Sequence, residues 1–241
     1  MNSNQQLYLP TTVTCHRTRP APATAAADFI GIDEATSHRW LCKGQGKHVY
    51  LPVSEWLCSR LAMACGLPVP QVAAVELATR PGEFYFGSQW QGGALEFLQV
   101  KGRISNASVF AKTHALDLFV HNTDRHRGNY LYLDLAGEIV ARVIDFSHSL
   151  LVMGWPLPSL PMTTCNTTME LPHLLAEDAD SYMRPNDILE VINDLSQDWM
   201  ETSLDLMPAA WLDQAGRETL NQWWRGIARQ QRLDSAKLAL P

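Results

Sequence analysis

The sequence lacks the features that define several large classes of protein. No apolar run reaches the roughly 20 residues that a helix needs to span a bilayer, and residues 1–6 carry neither the basic region nor the long apolar stretch of a signal peptide. Charged residues make up only 18% of the 241, and the formal net charge is −6. Because direct binding to nucleic acid requires clustered Lys and Arg, this balance argues against it. We therefore expect a soluble, cytoplasmic protein with no membrane span and no direct nucleic-acid contact.

The cysteines are too scattered to form a zinc site. There are five of them, with no Cys-x-x-Cys pair, although structural zinc ligands usually come in such close pairs. In a reducing compartment this pattern indicates buried free thiols, which here are Cys15, Cys42, Cys58, Cys65 and Cys165.

The residues that are present divide the chain into three regions. Residues 1–27 are polar or Pro/Ala-rich and predict an extended lead-in without secondary structure. Residues 28–100 alternate short β-type runs with a single helix, which should begin at Pro52 and end at Gly66. Residues 101–241 change to helical spacing. With 46% hydrophobic residues, there is ample material for a core.

The third region should begin with a helix and a hairpin. A helix is predicted from Ser105 or Asn106, as its cap, to about His121. Two strands over 130–133 and 139–144 follow, joined by a turn. Beyond them, 151–185 is predicted to be irregular. The last helices should cover 187–195 and, as one long helix, 211–233, with the aromatic pair Trp223 and Trp224 packing the latter onto its neighbours.

Three polar residues around that hairpin have the spacing of a phosphoryl-transfer site. Asp124 follows the helix, Asn129 opens the first strand, and Asp145 interrupts the apolar end of the second. A carboxylate at an apolar strand end is costly unless it meets a cation. In phosphoryl transfer, Asp124 would orient a hydroxyl, while Asn129 and Asp145 would hold Mg²⁺ on the phosphates of ATP. Taken singly, Asp124 and Asp145 also fit ordinary polar turns.

The same residues carry a family resemblance. The run Asn122-Thr123-Asp124-Arg125-His126-x-Gly128-Asn129 with Ile144-Asp145-Phe146 resembles the HipA-like kinases of bacteria and, more distantly, the phosphatidylinositol kinases. Two upstream runs are also similar to short HipA-like proteins: Ser54-Glu55-Trp56-x-x-x-Arg60-Leu61-Ala62 and Gly66-Leu67-Pro68-Val69-Pro70. The resemblance covers roughly 28–150. It implies an α+β, two-lobed protein-kinase-like fold with a small β-rich N-terminal lobe (28–100) and a mainly helical C-terminal lobe (101–241).

The kinase fold suggests roles for two further charged residues. Lys43 ends a predicted strand, and Glu55 lies on the helix that follows. In kinases a strand Lys reaches the α- and β-phosphates and pairs with a helix Glu. Lys47 is an alternative for the Lys. The alternative is that neither residue binds nucleotide: the Lys would be exposed in a turn, and Glu55 would be solvated in the first turn of its helix, where the helix dipole favours it.

Two segments are expected to contact the nucleotide. The turn over 33–38 lies between the first two predicted strands, where many kinases have a glycine-rich loop. This turn has no glycine, so the hydroxyls of Thr36 and Ser37, together with backbone N–H groups, would hold phosphate. The alternative is a plain β-turn. In HipA-like kinases, phosphorylation of a serine in this loop switches activity off. The segment 96–100, with Glu96, Phe97 and Leu98, is either the hinge that meets the adenine edge or an ordinary edge strand.

By resemblance, the acceptor is expected to be a Ser or Thr hydroxyl of a protein, and an antitoxin-type protein is an expected partner. Two rival functions remain open. One is a small-molecule or lipid kinase on the same scaffold. The other is a nucleotide-binding pseudokinase that regulates a partner without turnover, which the glycine-free loop favours. The intact set of Asp124, Asn129 and Asp145 favours an enzyme.

Overall fold

The computed structural model describes residues 12–22, 27–158, 160, 162, 164–170 and 186–240. The N-terminal elements are β1 (Thr12–Cys15), β2 (Arg17–Pro20), β3 (Phe29–Ile32), β4 (Arg39–Lys43), α1 (Leu51–Ala64), β5 (Val72–Leu77) and β6 (Arg80–Gln89). The C-terminal elements are α2 (Phe97–Val100), α3 (Val109–Val120), β7 (Tyr130–Leu135), β8 (Glu138–Val143), α4 (Asn186–Asp194), α5 (Trp199–Asp205), α6 (Gln214–Arg225) and α7 (Ile227–Ala239).

The N-terminal sheet curls because its two edge strands are neighbours in the sequence. Its six strands lie in the order β1-β5-β6-β4-β3-β2, with β1 parallel to β5 and the other pairs antiparallel. Only His16 separates β1 from β2, and its N–H donates to the carbonyl of Ile32 at 3.1 Å. The concave interior holds a small apolar cluster that includes Trp40, Cys42 and Val75.

The prediction of a lead-in without secondary structure is wrong for 12–20, which form β1 and β2. Each strand has only four residues, too few for the alternation in β1 to stand out, and β2 is exposed throughout. Pairing with β5 and β3 holds them in place. The remaining parts of the predicted lead-in, 1–11 and 23–26, lie outside the described residues.

The alternation of side chains along β4 decides where Lys43 lies. Successive residues of a strand point to opposite faces. Trp40 and Cys42 enter the cluster inside the curl, so Lys43 lies on the other face, towards α1. The helix itself has Pro52 in its first turn and ends before Gly66, as predicted. It is buried from Leu51 through Ala62 because it lies between the sheet and the C-terminal lobe.

The predicted hairpin of the C-terminal lobe is confirmed, with Tyr130 opposite Val143. Its two turn residues, Ala136 and Gly137, have φ of 58° and 95°, as in the left-handed turns that suit the twist of a hairpin. The predicted cap of α3 is wrong. The helix begins after Ser108, and the side chain of Asn106 instead exchanges hydrogen bonds with the backbone of Ala141 on β8.

Two other predictions for this lobe need correction. The single helix over 211–233 is two helices, α6 and α7, that meet at Gly226, where the backbone is extended (φ −92°, ψ 174°). The packing role of Trp223 and Trp224 is confirmed by ring contacts that both make with Phe119 of α3. Within 151–185, residues 166–170 are helical rather than irregular, and 171–185 lie outside the described part.

The α+β, two-lobed prediction is confirmed: a small curled sheet packs with α1 against a mainly helical lobe. The exact lobe boundaries at 28, 100 and 101 stay a prediction. None of the helices in the described part of the chain combines the length and the apolar character needed to cross a membrane.

Candidate active site

The predicted pair of Lys43 and Glu55 lies at the centre of the molecule. Lys43 Nζ is 2.5 Å from Glu55 Oε1, and both side chains are buried, with 5% and 2% of their surface exposed. The second carboxylate oxygen, Oε2, accepts the backbone N–H of Phe146 at 3.1 Å. The structure therefore favours Lys43 over Lys47, which is exposed on the loop before α1.

The ammonium of Lys43 also binds the predicted metal-binding carboxylate. Lys43 Nζ donates to Asp145 Oδ1 at 2.9 Å and to Ser147 Oγ at 2.9 Å. The Ser147 hydroxyl in turn donates to Glu55 Oε1 at 2.7 Å. Three acceptors thus match the three protons of the ammonium. The sequence analysis did not single out Ser147, which follows Asp-Phe in a run of ordinary composition.

Electrostatics favours the charged forms of Lys43 and Asp145, whereas burial raises the pKa of Glu55. Burial alone would lower the pKa of Lys43, but the carboxylates of Glu55 and Asp145 outweigh burial and raise it. Burial would likewise raise the pKa of Asp145, yet the Lys43 ammonium and the hydrogen bonds from Ser147 hold it well below its ordinary range. Asp145 has a left-handed backbone (φ 63°), a conformation that Asp tolerates better than most residues with a Cβ.

The other two predicted catalytic residues are joined by the loop that follows α3. The amide of Asn129 donates from Nδ2 to the backbone carbonyl of Asp124 at 2.7 Å. The carbonyl of Asn129 accepts the N–H of Ile144, the residue before Asp145, at 3.1 Å. The hairpin therefore connects Asn129 directly to the strand end that carries Asp145. The Asp124 carboxylate is partly exposed, at 37%.

Asn129 and Asp145 have the donor chemistry that Mg²⁺ requires. An amide oxygen and a carboxylate, completed by phosphate oxygens and water, suit this cation. Because the amide nitrogen of Asn129 is taken by Asp124, its oxygen is the atom left for a ligand. In the described part of the chain, no group of three or more His, Cys, Asp or Glu could hold a metal by itself.

A buried arginine braces both loops of the site. Arg125 is fully buried and forms a two-point ion pair with Asp117 of α3, at 2.8 and 3.1 Å. Its Nη1 donates to the carbonyls of Asn129 and Ile144 at 3.1 and 2.5 Å, and its guanidinium lies 4.8 Å from the ring centre of Phe146. One side chain thus links the loop of Asp124 to the loop of Asp145.

Three residues that the sequence analysis missed as site residues lie around Asp124. Asn166 donates from Nδ2 to Asp124 Oδ1 at 2.6 Å, and His148 Nε2 is 3.9 Å from Oδ2. Thr167 is buried; its hydroxyl donates to the Asn122 carbonyl at 2.7 Å and accepts the Arg125 N–H at 2.9 Å. Asn166 and Thr167 had no sequence signal, since they come more than forty residues after Asp124 within a run of common polar residues.

His126 braces its own loop. Its Nδ1 accepts the N–H of Gly128 at 3.1 Å, which begins a short 3-10 turn over Arg127–Asn129. Arg127 lies 3.6 Å from Glu170, so it also pairs with an acidic residue.

The structure places Thr36 and Ser37 away from Lys43, and their contact with phosphate stays a prediction. Both are exposed on the turn between β3 and β4, at the end of β4 opposite Lys43. Four strand residues separate that end from Lys43, or about 13 Å at 3.3 Å per residue. The turn is closed locally by Thr36 Oγ1 donating to Asp33 Oδ2 at 2.5 Å, which matches the plain-turn alternative.

The connection at the Lys43 end of the sheet is the one between β2 and β3. There Asp28 donates its N–H to the carbonyl of Cys42 at 2.8 Å, and its carboxylate accepts the N–H of Gly44 at 2.6 Å. By strand order, this connection corresponds to the nucleotide-covering loop of a kinase. Its residues 23–26 lie outside the described part.

The predicted hinge has a different local structure from either expectation. Glu96 caps the single turn α2 through reciprocal bonds with Gln99, so the edge-strand alternative is wrong. Phe97 is buried against Tyr132, with ring centres 5.5 Å apart, whereas Leu98 is exposed. The contact of this segment with adenine stays a prediction.

Comparison with known proteins rests on structure. No protein-family model and no curated sequence matches the chain. The proinflammatory kinase CtkA of Helicobacter pylori superposes with a TM-score of 0.59 at 13% identity, over 95% of this chain and 98% of that one. The chain has a HipA-like kinase fold. HipA of the Shewanella oneidensis MR-1 toxin–antitoxin system, in a complex with HipB and operator DNA, superposes with a TM-score of 0.50 at 11% identity. That match covers 92% of this chain and 65% of HipA.

Proposed function

We propose that this protein is an ATP- and Mg²⁺-dependent kinase that transfers the γ-phosphoryl group to a hydroxyl. The observation that carries the proposal is the buried cluster of Lys43, Glu55 and Asp145. Its charged groups come from the sheet, from α1 and from the end of the β7–β8 hairpin. A backbone hydrogen bond joins Asn129 to Ile144, the residue before Asp145. Burying such a cluster costs several kcal/mol of desolvation for each ion, so a structural role alone would be an expensive use of these residues.

Each residue has a role that its position supports. Lys43, oriented by Glu55, would donate to the α- and β-phosphates of ATP in exchange for one of its present acceptors. Asn129 and Asp145 would hold Mg²⁺, which neutralises phosphate charge when bound. Asp124, with an accessible carboxylate, would orient the acceptor hydroxyl and take up its proton.

The proposed acceptor is a Ser or Thr of a protein. The support is the fold shared with CtkA, which is described as a kinase, and with HipA. An antitoxin-type protein partner belongs to the same proposal, since HipA of the toxin–antitoxin system forms a complex with HipB. A small-molecule or lipid kinase would use the same residues on a different acceptor.

The pseudokinase alternative keeps one argument in its favour. The turn over 33–38 lies away from Lys43, but the connection between β2 and β3, at the Lys43 end of the sheet, has no glycine either. The residues that turnover requires are retained and hydrogen-bonded to one another.

The test is incubation with γ-³²P-ATP and Mg²⁺, comparing the wild type with Asp124→Ala and Asp145→Ala. We expect label on the protein itself or on a protein in a cell lysate, with a loss of at least about a hundredfold in both variants, as for removal of a catalytic base. The matched control Asp134→Ala removes a carboxylate from the far end of the same hairpin and should label normally. Binding of Mg-ATP without any label would favour the pseudokinase, and absence of Mg-ATP binding would contradict both functions.

A further inference from the structure

We propose that Asn166 is a positioning residue of the phosphotransferase site. It holds Oδ1 of Asp124 and thereby reserves Oδ2, on the side of His148, for the acceptor hydroxyl. This inference rests on the proposed function and specifies which carboxylate oxygen works and which side chains flank the acceptor.

The two oxygens of the Asp124 carboxylate have different surroundings. Oδ1 accepts the amide of Asn166 at 2.6 Å, a short hydrogen bond of the charge-assisted kind. Oδ2 lies 3.9 Å from the imidazole Nε2 of His148, too far for a direct hydrogen bond, and the described residues give it no hydrogen-bond partner. A hydroxyl oxygen placed about 2.8 Å from each of these two atoms fits between them. Oδ2 is thus the oxygen with room for an acceptor.

Asn166 is held in place by its neighbour Thr167. Thr167 is buried and bonds to the Asn122 carbonyl and the Arg125 N–H, the residues on either side of the Thr123-Asp124 pair. The N–H of Thr167 also approaches the carbonyl of Thr123, at 3.5 Å. These contacts dock residues 166–170 onto the catalytic loop. The amide of Asn166 is therefore presented to Asp124 by a fixed backbone, although its own side chain is exposed.

In the transfer, the acceptor oxygen forms a bond to the γ-phosphorus, the bond from that phosphorus to the β–γ bridging oxygen breaks, and ADP leaves. The proton of the acceptor hydroxyl goes to Asp124 Oδ2. A carboxylate that is free to rotate would lose this alignment for part of the time, and misalignment at a reacting group costs rate steeply. Asn166 restrains the rotation from the side that the acceptor does not use.

The test uses Mg-ATP hydrolysis, with water as acceptor, and self-labelling by γ-³²P-ATP. For Asn166→Ala we expect kcat to fall at least about tenfold, the size of one hydrogen bond to a charged group, with the KM for Mg-ATP unchanged. Asn166→Gln, which keeps the amide, should recover part of the rate. Asn166→Asp places a second carboxylate beside Asp124 and should lose more than Asn166→Ala.

Two controls separate positioning from folding. Asn193→Ala removes another exposed amide that bonds to an aspartate, here Asp194 at 3.4 Å, and should leave kcat unchanged. Affinity for the non-hydrolysable analogue Mg-AMPPNP and the melting temperature should be the same in wild type and Asn166→Ala, because a purely structural role would shift both.

The possible failures are distinguishable. An active wild type with an equally active Asn166→Ala would overturn the inference and leave the proposed function standing. A higher kcat in Asn166→Ala would overturn it too, since Asn166 would then be occupying the place of the acceptor. A wild type that neither hydrolyses Mg-ATP nor labels itself or any protein of a cell lysate would overturn the proposed function together with the inference.

Discussion

At the scale of single residues, His121 links the stability of the C-terminal lobe to pH. It ends α3 with a left-handed backbone (φ 55°), and its Nδ1 accepts a hydrogen bond from Arg232 at 3.2 Å. Burial, reinforced by the charge of Arg232, lowers the pKa of His121 from 6.5 to about 4. Between these values the unfolded chain binds a proton that the folded protein excludes. Stability should therefore fall as the pH drops from 6.5 towards 4.

The variant His121→Asn isolates this effect, because Asn tolerates the left-handed conformation and does not titrate. Urea midpoints measured at pH 7 and pH 5 should differ less in the variant than in the wild type. His126→Asn is the matched control: it removes a partly exposed imidazole from the same loop and should keep the wild-type difference. An unchanged pH dependence in His121→Asn would contradict the assignment.

The site residues that the sequence predicts are those with unusual chemistry for their place. Asp145 stands out as a carboxylate at an apolar strand end, and Lys43 and Glu55 are recognised from the order of strand and helix. The structure brings these three together. Ser147 and Asn166 carry no such signal, because a hydroxyl or an amide in a polar run is compatible with any surface turn. Their contacts depend on backbone geometry that spacing does not encode.

At the scale of elements, the turn of the β7–β8 hairpin contains a backbone strain that a substitution can relieve. Ala136 has φ 58°, a conformation that costs a residue with a Cβ about 1–2 kcal/mol unless its side chain bonds locally. Asn-Gly is the preferred pair for such a turn. We expect Ala136→Asn to raise the free energy of unfolding by about 0.5–1 kcal/mol, measured by urea denaturation. Ala78→Asn, in the β5–β6 turn at ordinary φ, should have no such effect, and equal midpoints for the two variants would contradict this explanation.

Elements with a strong local pattern are predictable here, and those held by distant contacts are not. The helix α1 has Pro at its start and Gly past its end, and β7 and β8 flank a turn with Gly137, so both were predicted. The strands β1 and β2 are short and exposed, and only pairing across the sheet forms them. Because β1 and β2 were not predicted, the turn over 33–38 was counted as the connection between the first two strands and was therefore expected to contact the nucleotide.

At the scale of the whole molecule, the two lobes are joined by charge at the site itself. Lys43 belongs to the sheet, Glu55 to α1 and Asp145 to the end of the hairpin, while Trp56 of α1 donates from its indole to the Ser203 carbonyl of α5 at 2.9 Å. Such links favour unfolding of both lobes in one transition. A ligand that binds among these charges should therefore stabilise both lobes together.

Calorimetry with Mg-AMPPNP tests this coupling. At a ligand concentration of 100 times Kd, the free energy of unfolding should rise by about 2.7 kcal/mol, visible as one transition moved to higher temperature. In Asp145→Asn, the shift at the same ligand concentration should shrink, because the carboxylate that we propose to hold Mg²⁺ is gone. Asp134→Asn, at the other end of the hairpin, should shift like the wild type. Two separate transitions, of which the ligand moves only one, would show that the lobes unfold independently and that the buried cluster does not couple them.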